Sequence, residues 1–83
     1  MKITVWGGSG FLGSHVSDAL SNAGHNVIVA DKKKSDYLRS DQKMFVGNIL
    51  DESDILESIS GSEAVFNFAG VADIKKSNDD ALN

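Results

Sequence analysis

The sequence predicts an α/β fold, in which helices flank a parallel β-sheet. A glycine-rich segment, Gly7 to Gly13, separates an apolar strand pattern from a helical pattern. Residues 26–30 form a continuous apolar run, which is typical of a central parallel strand that is covered on both faces. Strand and helix patterns then alternate along the chain, and this alternation favours parallel strands joined by crossover helices.

The first half of the chain predicts a strand, a helix and a second strand. Residues 2–6 form the first strand, and residues 26–30 form the second, which ends at Asp31. The helix is predicted over residues 11–23, because apolar residues recur there at helical spacing and Gly24 suits a helix end. The apolar face of this helix should consist of Leu12, Val16, Ala19, Leu20 and Ala23.

The second half predicts a strand, a helix and a fourth strand. Residues 32–43 form a polar surface connection, and residues 44–46 form a short third strand. Asp51 is the expected N-cap of the second helix, since acidic residues favour the first turn of a helix. The fourth strand and its exit cover residues 64–70, and residues 73–83 have weak helical character. The apolar face of the second helix should consist of Ile55, Leu56 and Ile59.

Composition excludes several classes of function. The chain has 83 residues, enough for one small domain at most, and its net charge of −4 argues against nucleic-acid or anionic-membrane partners. Cysteine is absent and there are two histidines, so disulfides are excluded and we expect no metal site. The start of the chain lacks the long apolar core of a signal peptide, and the longest apolar stretch, near residues 64–72, is too short to span a bilayer. A cytoplasmic location is the expectation.

The glycine-rich segment predicts a phosphate-binding turn, because unpaired N–H groups and the helix dipole favour an anion at a helix N-terminus. It fits two spacings, G-x-G-x-x-G starting at Gly8 and G-x-x-G-x-x-G starting at Gly7. In a dinucleotide-binding turn the first glycine follows the last apolar residue of the strand directly. Gly7 directly follows the predicted first strand, so it is favoured as the first glycine, and the wider spacing G-x-x-G-x-x-G is favoured with it.

Asp31 is the second candidate, because it ends the second strand eighteen residues beyond Gly13. A carboxylate there can accept hydrogen bonds from the ribose hydroxyls of adenosine, and it repels a 2′-phosphate. It therefore favours NAD over NADP as the cofactor. A plain turn aspartate is the alternative interpretation, and the nearby cations Lys32 to Lys34 could accept a 2′-phosphate.

Four segments in the same order and spacing resemble the N-terminal part of the extended short-chain dehydrogenase/reductase family, the NAD-dependent epimerases and dehydratases. The resemblance covers essentially the whole chain and implies a partial Rossmann fold with strand order 3-2-1-4. In this family the turn resembles Gly-Gly-x-Gly-Phe-Ile-Gly, and an acidic residue ends the second strand. The matching segments are Gly7 to Gly13, Asp31, Gly47-Asn48-Ile49-Leu50-Asp51 and Asn67-Phe68-Ala69-Gly70.

The resemblance implies a role for each candidate residue. Asp31 would hold the adenosine ribose, and Asn48 and Ile49 would border the adenine. For the side chains of Ile49 and Phe68, packing in the core is an equally good interpretation. The family usually has aspartate at position 48, histidine at position 67, and threonine or a small residue in place of Trp6. The pyrophosphate would lie in the turn formed by Gly7, Gly8, Ser9, Gly10, Phe11, Leu12 and Gly13, and the middle of the cofactor would lie against Phe68, Ala69 and Gly70.

The resemblance also implies an enzyme whose catalytic residues are not in this chain. The family uses a Tyr-x-x-x-Lys pair, whereas Asp41 stands four residues after Tyr37, the only tyrosine. We therefore expect residues 1–83 to be the N-terminal half of an NAD(P)-binding domain, with no catalytic residue, in a protein acting on a nucleotide-sugar or a related hydroxyl substrate. Association into a homo-oligomer is left open. The alternatives are a non-catalytic NAD(P)-binding sensor of the same fold and a fragment with no ligand.

Overall fold

A computed structural model describes residues 1–69. It contains a four-stranded parallel sheet with strand order β3-β2-β1-β4, as the sequence predicts. The helix expected over residues 73–83, and Gly70, lie outside the described residues. The elements are β1 (Lys2–Trp6), α1 (Phe11–Asn22), β2 (Asn26–Asp31), β3 (Gln42–Val46), α2 (Glu52–Ile59) and β4 (Ala64–Asn67).

The two helices cover opposite faces of the sheet. One face carries the apolar core, made of alternate residues of β1 and β2, against which Leu20 of α1 packs. On the other face Thr4 and Trp6 of β1 contact α2 through hydrogen bonds to Ser58. Side chains alternate between the two faces of a strand, so neighbouring residues of β1 contact α1 and the core on one face and α2 on the other. The core consists of Ile3, Val5, Val27 and Val29.

The apolar face predicted for α1 is wrong at three positions, whereas Leu20 packs against the core as predicted. Leu12 is 50% exposed, and Ala19 and Ala23 are also exposed. The buried residues of the helix are small ones, Gly13, Ser14 and Ser17. The glycine turn brings α1 so close to β1 that only small side chains fit between them. The serine hydroxyls are satisfied inside the helix, by the carbonyls of Phe11 and Gly13.

The boundary predicted for β3 is also wrong, because the strand begins at Gln42 rather than Met44. Gln42 is buried although it is polar, since its side-chain amide donates to Asp18 Oδ1 at 2.9 Å and to Ser21 Oγ at 3.1 Å. Its side-chain oxygen accepts from the N–H of Arg39. A hydropathy pattern does not reveal a buried polar residue whose partners come from a distant helix.

The N-cap predicted for α2 is confirmed, whereas its predicted apolar face is wrong at one position. Asp51 Oδ1 accepts hydrogen bonds from the N–H groups of Ser53 and Asp54. Leu56 is 59% exposed, and the buried residue of the helix is Ser58. Ser58 is buried because it bonds the polar side chains of β1, which a search for apolar residues overlooks.

We expect Gly13→Ala to lower the free energy of unfolding by about 1–3 kcal/mol, because overpacking forces backbone to move. A Cβ at Gly13 would lie 2.2 Å from Gly7 O and 2.7 Å from Gly8 Cα. Gly10→Ala is the matched control, since its Cβ would lie 3.5 Å from Gly7 O; loss of a glycine N-cap should cost less than about 1 kcal/mol. Urea unfolding followed by Trp6 fluorescence measures both, and equal losses would contradict the close approach.

We expect the stability contributed by Asp51 to depend on pH. The Ser53 hydroxyl, with the N–H groups of Asp54 and Ser53, holds the pKa of Asp51 below its ordinary value of 3.8. A lowered folded pKa gives stability that is complete above the unfolded pKa and is lost as pH falls through the folded pKa. Asp51→Asn keeps an acceptor oxygen but removes the charge, so it should be less stable than the wild type at neutral pH.

That difference should shrink below pH 3.8 as the wild-type carboxylate takes up a proton. The measurement is urea unfolding of both proteins at neutral and at acidic pH. Asp36→Asn, a change at an exposed acid in the connection between β2 and β3, is the control and should show little effect at either pH. A difference that persists unchanged into acid would show that the charge of Asp51 contributes nothing.

Candidate functional site

A cleft of about 580 Å³ lies at the carboxyl ends of the four strands. It is lined by residues that follow β1, β2, β3 and β4, the edge where ligands bind in open α/β sheets. The sequence-predicted residues that line it are Gly7, Gly10, Phe11, Leu12, Gly13, Asp31, Asn48, Ile49, Phe68 and Ala69. Gly8 and Ser9 belong to the same turn but do not line the cleft, and Gly70 is outside the described residues.

The turn after β1 leaves no room for a Cβ at three positions, and at Gly8 a Cβ would lie 2.9 Å from Val5 O. Gly7 has φ +77°, and a Cβ there would lie 2.5 Å from the backbone nitrogen of Ala69. Gly13 packs directly on Gly7, whose carbonyl oxygen occupies the place of a Cβ. Glycine therefore allows the backbones of the turn, of α1 and of the β4 exit to meet at one end of the cleft.

The N-terminus of α1 is open toward the cleft. Its N-cap, Gly10, has no side chain to accept a bond, and its first turn has no acidic residue. The N–H groups of Phe11, Leu12 and Gly13 precede the first helical hydrogen bond, from Ser14 N to Gly10 O. The N-terminus of α2, by contrast, is filled by the Asp51 carboxylate. An anion in the cleft can therefore take at α1 the place that Asp51 takes at α2.

Four N–H groups of the turn are already paired within the chain, and one of them is Gly8 N, which donates to Ala30 O at 3.4 Å. Gly7 N donates to Ala30 O at 2.9 Å, and Gly10 N donates to Gly7 O at 3.2 Å. Ser9 N donates to Asp31 Oδ2 at 3.1 Å. These bonds shape the turn, and the donors offered to a ligand are those at the start of α1.

Asp31 is fixed beside the turn by both of its oxygens. Oδ2 accepts from Ser9 N, and Oδ1 accepts from the N–H of Lys32 at 2.8 Å. The Ser9 hydroxyl donates to the Lys33 carbonyl at 2.6 Å and so adds a second link between the turn and the exit of β2. The carboxylate is half-buried and oriented, and its unused lone pairs can accept further hydrogen bonds from hydroxyl groups.

The segment after β3 forms the far end of the cleft, and α2 holds it in place. Asn48 N donates to Asp54 Oδ2 at 2.9 Å, and Asn48 O accepts from Asp51 N at 2.9 Å. The side-chain oxygen of Asn48 accepts from Leu50 N at 2.8 Å. Ile49 and Leu50 add apolar surface, and Leu50 is 89% exposed.

Sequence reasoning missed Trp6, Lys32 and Leu50 as lining residues. Trp6 packs against the sheet, 2% exposed, and its indole N–H donates to Ser58 Oγ at 2.8 Å. Its ring meets Phe45 edge to face, with 6.1 Å between the ring centroids. The alternation of β1 could have revealed Trp6, because it places the side chain opposite the core at the end of the strand. Lys32 and Leu50 could have been found as sequence neighbours of predicted residues.

The tyrosine and the two histidines, Tyr37, His15 and His25, do not line the cleft. Tyr37 is 59% exposed in the β2–β3 connection. Within residues 1–69, no group of histidine and acidic side chains is arranged to hold a metal ion. No helix in this range is long and apolar enough to cross a membrane.

Solved structures with the same arrangement bind nicotinamide cofactors or nucleotide sugars. UDP-glucose 4-epimerase from Thermotoga maritima, solved with UDP-glucose, is 36% identical with a TM-score of 0.72, over 82% of this chain and 24% of that chain. A short-chain dehydrogenase/reductase superfamily protein from Agrobacterium tumefaciens with bound NAD is 28% identical with a TM-score of 0.72, over 82% of this chain and 20% of that one.

The sequence relatives act on more than one class of substrate. Sterol-4-alpha-carboxylate 3-dehydrogenase, decarboxylating, of Mus musculus is 34% identical over 68 residues, which are 82% of this chain and 18% of that protein. GDP-mannose 3,5-epimerase 1 of Oryza sativa subsp. japonica is 31% identical over 72 residues, which are 83% of this chain and 19% of that protein. The chain thus spans about a fifth of the length of this relative. The model of the NAD dependent epimerase/dehydratase family matches residues 3–83. With the turn, the cleft and the strand order, this match establishes that the chain belongs to the NAD-dependent epimerase/dehydratase family.

Proposed function

We propose that residues 1–83 are the N-terminal half of the NAD-binding domain of an enzyme that acts on a nucleotide sugar, and that the cleft holds the ADP part of NAD. The observation that carries the proposal is the meeting of an open helix N-terminus with an oriented carboxylate. The first N–H groups of α1 suit the pyrophosphate, and Asp31 beside them suits a ribose.

The strand order supports the direction in which the nucleotide would lie. The phosphate turn follows β1, Asp31 ends β2, and Asn48 follows β3, which is the next strand outward. Neighbouring strands lie about 4.8 Å apart, so these three positions are spaced as the phosphate, ribose and base of a nucleotide are. Phe68 and Ala69, on the β4 side, would face the middle of the dinucleotide.

The groups present fit the cofactor. The carbonyl of Gly7 excludes any side chain at Gly13, so that no Cβ at this position would keep a phosphate from the backbone. When bound, NAD supplies a group that accepts and returns a hydride. The residues of this chain would bind the nucleotide and orient it along the carboxyl edge of the sheet.

The preference for NAD over NADP rests on Asp31. Its carboxylate would accept from the ribose hydroxyls and would repel a 2′-phosphate. Lys32 lines the same cleft, and its N–H holds Asp31 Oδ1. The nucleotide-sugar substrate is supported by the relatives, and the residues that act on it would belong to the longer protein, since the chain spans 19% of GDP-mannose 3,5-epimerase 1.

We expect the chain to bind ADP-ribose and NAD with dissociation constants at or below about 1 mM, or about −4 kcal/mol. The two ligands share the ADP-ribose part that the cleft would hold, so their affinities should agree within about threefold, under 1 kcal/mol. Nicotinamide mononucleotide, which lacks the ADP part, is the control ligand and should bind much more weakly. Calorimetric titration measures all three, and no binding of ADP-ribose or NAD at millimolar concentration would overturn the proposal.

We expect Asp31→Ala to weaken NAD binding by about tenfold or more, because hydrogen bonds to a charged group contribute about 1.5–3 kcal/mol. NADP binding should fall less than NAD binding, since the variant also removes the charge that repels the 2′-phosphate. Asp36→Ala is the matched control, an exposed acid on the following connection that does not line the cleft. Titration with both cofactors measures the ratio, and an equal loss for both would remove Asp31 from the site.

A further inference from the structure

Two aromatic side chains of α1 stand together where the helix meets the cleft. Phe11, the first residue of the helix, lines the cleft and is 76% exposed. The ring of His15 meets the ring of Phe11 edge to face, with 4.5 Å between the ring centroids and 78° between the ring planes. His15 is exposed and does not line the cleft itself. Any effect of its ring on the cleft therefore acts through Phe11.

The geometry of a helix gives both side chains the same direction. The Cα–Cβ bonds of a helix tilt toward its N-terminus, so a side chain lies over the residue four positions earlier. Phe11 belongs to the first turn, so its side chain is directed toward the N–H groups that precede the first helical hydrogen bond. His15 follows one turn later and lies behind Phe11, on the side of the helix body.

Phe11 has few other contacts that restrict its ring. Three quarters of its surface is open to water, and it is not among the residues that pack against the core. Such a side chain turns about its χ1 angle among staggered rotamers. The ring of His15 occupies the space toward the helix body, and edge-to-face contact is a favoured arrangement of aromatic rings. His15 thus favours the rotamer that directs Phe11 toward the start of the helix.

The consequence for a ligand rests on the proposed function, in which a pyrophosphate lies at the open N-terminus of α1. Gly10 and Gly13 have no side chain, so apolar cover at this point comes from Phe11 and Leu12, which both line the cleft. A ring beside the phosphates excludes water from that side. Hydrogen bonds and charge interactions are stronger where water is excluded, because the local dielectric constant is lower.

We propose that His15 is a positioning residue of the cofactor site, which holds the ring of Phe11 beside the open N-terminus of α1 so that a bound pyrophosphate is sheltered from water. The contribution comes from the aromatic ring of His15 and from its contact with Phe11. Another aromatic ring at position 15 should therefore serve as well, and without Phe11 the residue at position 15 should have no effect on the ligand.

The test measures ADP-ribose binding by calorimetric titration. In His15→Ala, Phe11 would be distributed over about three staggered rotamers instead of one, so the dissociation constant should rise by about threefold. His15→Phe keeps a ring against Phe11 and should restore the wild-type affinity. In a chain that already has Phe11→Ala, adding His15→Ala should leave the dissociation constant unchanged, because the two substitutions remove one shared contact.

His25→Ala is the matched control. It removes the same side chain from the turn after α1, at a position that does not line the cleft, so it should leave the affinity unchanged. Circular dichroism checks that each variant folds.

Three results would overturn the role of His15 alone. They are an unchanged affinity in His15→Ala, a loss that His15→Phe does not restore, and a loss that persists when Phe11 is already alanine. An equal loss in His25→Ala would do the same, because the effect would then not depend on the contact with Phe11. Failure of the wild-type chain to bind ADP-ribose would overturn the proposed function, and the role of His15 with it.

Discussion

The contact between Gly7 and Gly13 is the constraint on which the site depends. The carbonyl oxygen of Gly7 lies 2.2 Å from the place where a Cβ of Gly13 would be. Because no side chain intervenes, α1 begins directly over the end of β1 and its first N–H groups open into the cleft. The same closeness explains why the buried face of α1 consists of glycine and serine rather than leucine. The apolar contribution of this helix to the core is accordingly small.

On the face of the sheet that α2 covers, hydrogen bonds between polar groups position the helix. Thr4 donates to Ser58 O at 2.9 Å, and the Trp6 indole donates to Ser58 Oγ at 2.8 Å. These bonds fix α2 against β1, and α2 in turn holds Asn48 through Asp54. Leaving a buried polar group without a hydrogen-bond partner costs free energy. Each of these bonds therefore restricts where α2 can lie on the sheet. The end of the cleft at Asn48 thus depends on a chain of hydrogen bonds that begins in β1.

The sequence predicts the parts of this fold that depend on local patterns. The N-cap at Asp51 and the positive φ of Gly24 follow from residue types at helix ends, and both are observed. Motif spacing placed Asp31 beside the turn, where it bonds Ser9 N. The burial of Gln42 could not be read from hydropathy, because the Asp18 and Ser21 groups that satisfy it lie far away in the sequence. The same holds for α1, whose buried face is set by backbone proximity rather than by apolar area.

Asp31 and Asn48 both line the cleft, but they differ in how many of their side-chain atoms also hold the backbone in place. Asp31 uses both of its oxygens to hold the turn and the exit of β2, so a change there alters the shape of the site together with its chemistry. Asn48 lines the cleft, and its side-chain oxygen holds the loop by accepting from Leu50 N. An aspartate could make the same bond to Leu50 with one oxygen while presenting the other to the ligand. The loop therefore constrains one atom of residue 48 and not the other, and the chemistry offered to a base can change there without a change in the fold.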